Sequence, residues 1–244
     1  MKALDLDGKE GVILVNCGRK GTGKTTLARA QVDELLIAGR DIALVQDPHA
    51  QFFGCPWRTV DEFLSADEVA RVNCFRSARP AELAKLAMKL SRRGQRVVLV
   101  LDELTRACTP HRYADDKPKA GGEWEPGNLS LIVNEGRHFK IDLVGTTRRP
   151  SLIHADLPAL AERVTIFSLS HRADLGWVED HCGEEAREAV ARLGEHDSYE
   201  WDPGDTTDLR DASDVESQKQ EKVKEEKEAP VSPTSTPAPT SQDG

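Results

Sequence analysis

Gly18-Arg19-Lys20-Gly21-Thr22-Gly23-Lys24-Thr25 is the stretch that decides the fold of this chain. It is a complete G-x-x-x-x-G-K-T loop, preceded by the apolar run Val12-Ile13-Leu14-Val15 and followed by a helical pattern. Glycines at 18, 21 and 23 let the backbone turn its N–H groups inward around a polyphosphate. Lys24 is then expected to reach the β- and γ-phosphates, and the Thr25 hydroxyl to hold Mg²⁺. Arg19, Lys20, Thr22 and Thr26 complete the cradle, and the start of the next helix adds its partial positive charge. The alternative is a chance glycine-rich turn containing a lysine, against which the strand before and the helix after both argue. The expected ligand is a nucleoside triphosphate, ATP with Mg²⁺.

Outward from this loop, short apolar runs alternate with amphipathic stretches, the pattern of an α/β sheet. Strands are expected at 11–16, 41–46, 72–76, 97–101, 141–146 and 164–169. Ala28, Val32, Leu35 and Leu36 share one face of the first helix, which Gly39 can end. Leu83, Leu86, Ala87 and Leu90 do the same in a helix opened by Pro80 and closed near Gly94. Further helices are expected at 127–139 and 184–193, and a short strand at 197–201.

Val97-Val98-Leu99-Val100-Leu101 runs directly into Asp102-Glu103. Five apolar residues in a row mark a strand buried on both faces, as in a parallel sheet covered by helices. Ligands bind such sheets at the carboxyl ends of the strands, which puts Asp102 beside the glycine loop to hold the Mg²⁺ water shell. Glu103 is then a general base for an attacking water. The plainer alternative is that the two acids cap the next helix. A further strand is expected between the loop strand and the Asp-Glu strand, and 141–146 can supply it. That run ends in Thr146-Thr147-Arg148-Arg149-Pro150, whose polar and cationic groups would face the γ-phosphate opposite Lys24; a solvated strand end is the alternative.

The 244 residues suit one sizeable core with appendages, read as a domain over 1–202 and a tail over 203–244. The tail holds ten Asp/Glu and five Lys/Arg and then turns Ser/Thr/Pro-rich, so that it cannot offset its ordering entropy and is expected to be disordered. A net charge of −9 argues against coating nucleic acid over the whole surface, though not against a local basic channel. Five cysteines without a C-x-x-C pair fit buried thiols in a reduced intracellular compartment. The amino terminus lacks a signal peptide's apolar region, and no run approaches the roughly 20 apolar residues of a membrane helix. Residues 105–126 form a polar insertion rich in Pro and Gly, with Arg106, His111, Arg112, Tyr113, Lys117, Lys119 and Trp124 among its members. It is expected to be a long irregular loop.

Three further segments carry a resemblance. Asp47-Pro48-His49 follows the second strand, Gly136-Arg137-His138 precedes the strand at 141–146, and Thr147-Arg148-Arg149-Pro150 follows it. With the two nucleotide motifs, this ordered set resembles the FtsK/HerA superfamily of DNA-translocating ATPases, and the short chain resembles its viral genome-packaging branch. The resemblance covers roughly residues 10–175. It implies a RecA-like P-loop NTPase core of the additional-strand, catalytic-glutamate type, with a central, mostly parallel sheet. It also implies a homo-oligomeric ring, commonly a hexamer, that grips double-stranded DNA and completes each site with a neighbour's arginine. Arg137 is the first candidate for that arginine and Arg149 the second. The family usually has glutamine where this chain has Arg148, so its sensor role there need not carry over. Capsid or vertex proteins are expected partners, and the host cytoplasm or the virion the expected location. The 105–126 insertion is read either as a pore or DNA-contact loop or as a plain surface loop.

Two other functions remain open at this level. One is a phage assembly or morphogenesis ATPase that uses nucleotide as a switch; the other is a small-molecule P-loop kinase with Arg106 and Arg112 in a lid. The Asp102-Glu103 pair favours hydrolysis, because a kinase must exclude water rather than activate it.

Overall fold

A computed structural model describes residues 10–52, 55–119 and 124–203. Along them run β1 (Ile13–Cys17), α1 (Lys24–Ile37), β2 (Ile42–Gln46), α2 (Val60–Ser65), β3 (Val72–Phe75), α3 (Pro80–Ser91) and β4 (Val97–Leu101). After a 3-10 turn at Leu104–Arg106 come the two-residue strands β5 (Cys108–Thr109), β6 (Arg112–Tyr113), β7 (Lys117–Pro118) and β8 (Trp124–Glu125). The chain continues with α4 (Asn128–Phe139), β9 (Ile141–Thr147), α5 (Asp156–Ala159), β10 (Arg163–Phe167), α6 (Arg172–Cys182), α7 (Glu184–Arg192) and β11 (Ser198–Trp201). The expected disorder of the tail concerns residues that lie, beyond 203, outside the described ones.

Seven strands hydrogen-bond in the order β11-β10-β1-β9-β4-β2-β3. All neighbouring pairs are parallel except β10 with β11. The expected additional strand is therefore present: β9 lies between the glycine-loop strand β1 and the Asp-Glu strand β4. Side chains of a strand alternate between faces, and β4 shows why its run had to be wholly apolar. Val97, Leu99 and Leu101 join the core under α3, α4, α6 and α7, whereas Val98 and Val100 join the core under α1.

The amino ends of the strands are tied together by ionic groups. Arg40, in the turn from α1 to β2, donates to Asp142 of β9 at 2.7 and 3.3 Å, and both are buried. The same carboxylate accepts from the Val12 backbone N–H at 2.8 Å, so one acid joins three segments.

Helices α2, α5 and α6, and the order within the insertion, differ from the sequence expectation. Helix α6 had no counterpart in it, because its apolar pattern is sparse and its cap is a histidine: His171 Nδ1 accepts from the Ala173 N–H. The 105–126 insertion is not an irregular loop in its described part. β5 pairs with β6, and β7 with β8, as two small antiparallel ribbons. Asp116 holds them in place by accepting from the Tyr113 and Gly127 N–H groups at 2.8 Å each, and Asp115 accepts from the Leu129 N–H in the first turn of α4. Tyr113 and Cys108 are buried in the main core, where Tyr113 stacks on His154.

Candidate active site

The glycine loop leaves β1 at the carboxyl edge of the sheet and is pinned at both ends. Asn16 of β1 and Gln31 of α1 form a buried hydrogen bond of 2.8 Å that fixes strand against helix. Within the loop, Gly18 N–H donates to Thr147 O and Arg19 N–H to Ser168 O, while Thr22 Oγ1 donates to Arg19 O. Gly23 sits at φ 101°, a region open to glycine and costly for other residues. Gly18, at φ 151°, is fixed by space as well: a Cβ there would lie 2.6 Å from Phe167 Cβ. No side chain caps the amino end of α1, so its first N–H groups stay available to an anion.

Lys24 is largely buried, and its ammonium donates to the Arg19 carbonyl. Burial lowers its pKa, and the neighbouring Arg148 guanidinium lowers it further. A buried cation with a second cation beside it is poised for a polyanion, which would neutralise both.

Across a cleft of about 170 Å³ stand Asp102 and Glu103. Lys20, Gly21, Lys24, Thr25, Thr146 and Arg148 line the same cleft. Asp102 Oδ1 accepts from Thr146 Oγ1 at 2.9 Å. Glu103 Oε1 accepts from Thr105 Oγ1 at 3.0 Å and Thr147 Oγ1 at 3.1 Å, and Arg148 Nε lies 3.6 Å from Oε2. Its backbone takes φ 75° and ψ 82°, a left-handed conformation rare outside glycine and typical of over-determined functional positions. The two acids are therefore aimed into the cleft rather than capping a regular helix.

The strand-end arginines part company. Arg148 lines the cleft, whereas Arg149 turns to the buried Asp174 of α6 at 2.8 Å. Arg137 sits at the other end of the sheet, at the close of α4, 79% exposed and 3.7 Å from Glu162. The glycine before it has a packing role: a Cβ on Gly136 would lie 2.9 Å from Ile141 O and 3.7 Å from Gly11 Cα.

The cleft is also lined by Thr146, from the strand end expected to face the γ-phosphate, by His49 of the Asp47-Pro48-His49 segment, by Arg106, and by Gln51, which belonged to no motif of the sequence reading. Gln51 Oε1 accepts from the Thr25 hydroxyl at 2.9 Å. Its loop is shaped by Asp47, a buried acid that accepts from the Gln51 and Phe52 N–H groups at 2.8 and 3.0 Å. An acid at the end of an apolar strand, two residues before a histidine, is the signal that points to this loop.

Gly145 shows how closely β9 approaches the site. A Cβ there would lie 2.6 to 2.8 Å from three Leu104 side-chain atoms, next to Glu103. Gly145→Ala is expected to destabilise the fold by about 1–3 kcal/mol through overpacking. A urea unfolding midpoint equal to that of the wild type would show that Leu104 has room to move.

The profile of the ATPase family associated with various cellular activities (AAA) matches residues 14–169, most of the chain. This chain belongs to the AAA family. It is accordingly a P-loop ATPase, with the mixed α/β core described above. No protein of curated function matches this AAA chain in sequence. Its fold is shared with the genome packaging NTPase B204 of Sulfolobus turreted icosahedral virus 2, solved in complex with ATP-gammaS. That match has a TM-score of 0.64 and 18% identity over 80% of this chain and 94% of that one. The DNA-packaging ATPase B204 of Sulfolobus turreted icosahedral virus is similar too, with a TM-score of 0.60 and 17% identity over 79% and 93% of the two chains. At these identities the likeness is one of fold.

Proposed function

We propose that this AAA ATPase hydrolyses ATP to translocate double-stranded DNA, and that its task is packaging a viral genome. The observation that carries the reading is the single cleft shared by Lys24, Thr25, Asp102 and Glu103, with β9 inserted between the two strands that supply them. The glycine loop from Gly18 to Thr26 would wrap the phosphates, with Lys24 on the β- and γ-groups. Thr25 and Asp102 offer the hard oxygen donors that Mg²⁺ prefers. The ion, when bound, would neutralise charge building on the phosphate oxygens. Glu103 would take the proton of the attacking water as the bond to the γ-phosphorus forms and the β–γ bridge breaks. Gln51 would hold the Thr25 proton away from the metal side of its hydroxyl.

Arg148 reaches the γ-phosphate side of the cleft, where a guanidinium stabilises charge that a glutamine would only hydrogen-bond. Arg137, at the amino end of the strands, is remote from its own cleft and remains the first candidate to complete a neighbour's site. Arg149 is the second, once freed from Asp174. Such pairing needs a homo-oligomeric ring, a hexamer in our reading, with capsid or vertex proteins as further partners. The motor is assigned to residues 1–202, with the acidic tail at 203–244 outside it. In the insertion, the Arg112 guanidinium lies 4.6 Å over the Trp124 ring, with Lys117 and Lys119 nearby in sequence. Cations and an exposed aromatic suit contacts to a DNA backbone. The location that goes with this task is the host cytoplasm or the virion; among the described residues no helix is long and apolar enough to cross a membrane.

The test is ATP turnover with and without duplex DNA, alongside the native mass. Turnover should rise severalfold with DNA, and the mass should be a multiple of the 26.9 kDa chain. ATP-dependent assembly with no response to DNA would replace the motor with a nucleotide switch in morphogenesis.

A further inference from the structure

The proposed phosphate cradle and the sheet order together imply a direction for a bound nucleotide. Asp102 and Glu103 follow β4, which lies on the β9 side of β1, whereas β10 lies on the other side. On the reading of residues 18–26 as the phosphate cradle, a triphosphate with its γ end at Glu103 runs across the loop toward β10. Its nucleoside then leaves the loop over the carboxyl end of β10, in a region that none of the motifs describes.

That region is built from aromatic groups. Phe167, the last residue of β10, pairs with Ser198, the first of β11. The turn that feeds β11 is closed by the Gly194 N–H donating to Asp197 Oδ2 at 3.1 Å, and it carries the exposed His196. A Cβ built on Gly23 would lie 4.0 Å from His196 Nδ1 and 3.6 Å from Phe167 Cε1. Two rings from different segments thus converge on the last glycine of the loop. Phe167 is buried beneath it and suits a floor; His196 is exposed and suits a cover.

We propose that His196, backed by Phe167, forms the nucleoside subsite, with the imidazole stacking on the purine base of ATP. A base presents a flat π-face whatever its edge, so a ring at this place adds affinity for a nucleotide and none for bare phosphates. Phosphate contacts position the ligand; this ring distinguishes ATP from inorganic tripolyphosphate.

Calorimetric titration of the full chain with ATP and with tripolyphosphate, both with Mg²⁺, tests the assignment. His196→Ala should weaken ATP about tenfold and leave tripolyphosphate unchanged, whereas His196→Phe should keep ATP binding close to that of the wild type. The turn is closed by Asp197 rather than by His196, so the fold does not depend on the imidazole. Equal weakening of both ligands, or undiminished ATP affinity in His196→Ala, would overturn the subsite. Lys24→Ala is the companion variant and should weaken both ligands. Unchanged tripolyphosphate affinity in that variant would instead overturn the cradle, and with it the direction from which the subsite is argued.

Discussion

Glu103→Gln is expected to retain ATP binding while slowing hydrolysis by about a hundredfold to ten-thousandfold, the range lost with a general base. The amide keeps the shape of the side chain and an oxygen to accept from Thr105 and Thr147, whose hydroxyls lie 3.0 and 3.1 Å from Oε1. It cannot accept the proton of an attacking water. The substitution thus separates positioning from proton transfer in a way that alanine would not. Single-turnover hydrolysis, measured beside an ATP titration, reads the two quantities independently. A rate within tenfold of the wild type would remove Glu103 as the base, and unchanged ATP affinity would show that the cleft itself had stayed intact.

The second large effect is on stability. Asp142→Ala should cost about 3–5 kcal/mol, because it leaves the Arg40 guanidinium charged in the interior without its carboxylate. The side chains are 1% and 2% exposed, so water cannot compensate for the loss. The Val12 N–H would lose its acceptor as well. For a domain of this size the melting temperature should fall by roughly 10 °C or more. Replacing both partners by apolar residues, Arg40→Met with Asp142→Leu, should recover much of that loss, since no charge is then stranded. A fall under about 1 kcal/mol in Asp142→Ala would show that Arg40 finds other solvation. The pair sits at the amino ends of the strands and the cleft at the carboxyl ends, so folded Asp142→Ala should still bind ATP.

Much of the fold was legible because local patterns were strong. The run at 97–101 needed no tertiary knowledge, since five apolar residues in sequence can only be satisfied between two helical layers. The place of β9 between β1 and β4 followed from the apolar run at 141–146 and the need for an intervening strand. What escaped the reading was held by side chains at a distance. α6 is weakly amphipathic and gains its order from packing, and the insertion is ordered by Asp115 and Asp116 acting on residues up to 14 positions away. Sequence spacing carries no trace of such a link until the chain has folded.

The same division runs through the candidate site. Lys24, Thr25, Asp102 and Glu103 were readable as residue types in a required order, because phosphate binding by backbone N–H groups imposes glycines at fixed places. Which of three arginines meets the cleft was not readable. Arg148 and Arg149 are adjacent and alike in the chain, and only the alternation of a strand end with the buried Asp174 sends them apart.

By itself, then, the sequence determined a nucleotide-binding α/β core and the chemical groups at the ends of two of its strands. These depend on hydrogen-bonding and burial needs that act over a few residues. The tertiary structure alone decided that Gln51 meets Thr25, that Arg137 stands at the far end of the sheet, and that the His196 ring comes up beside Gly23. Those pairs are joined by the order of strands across the sheet, a global packing solution that no local pattern encodes.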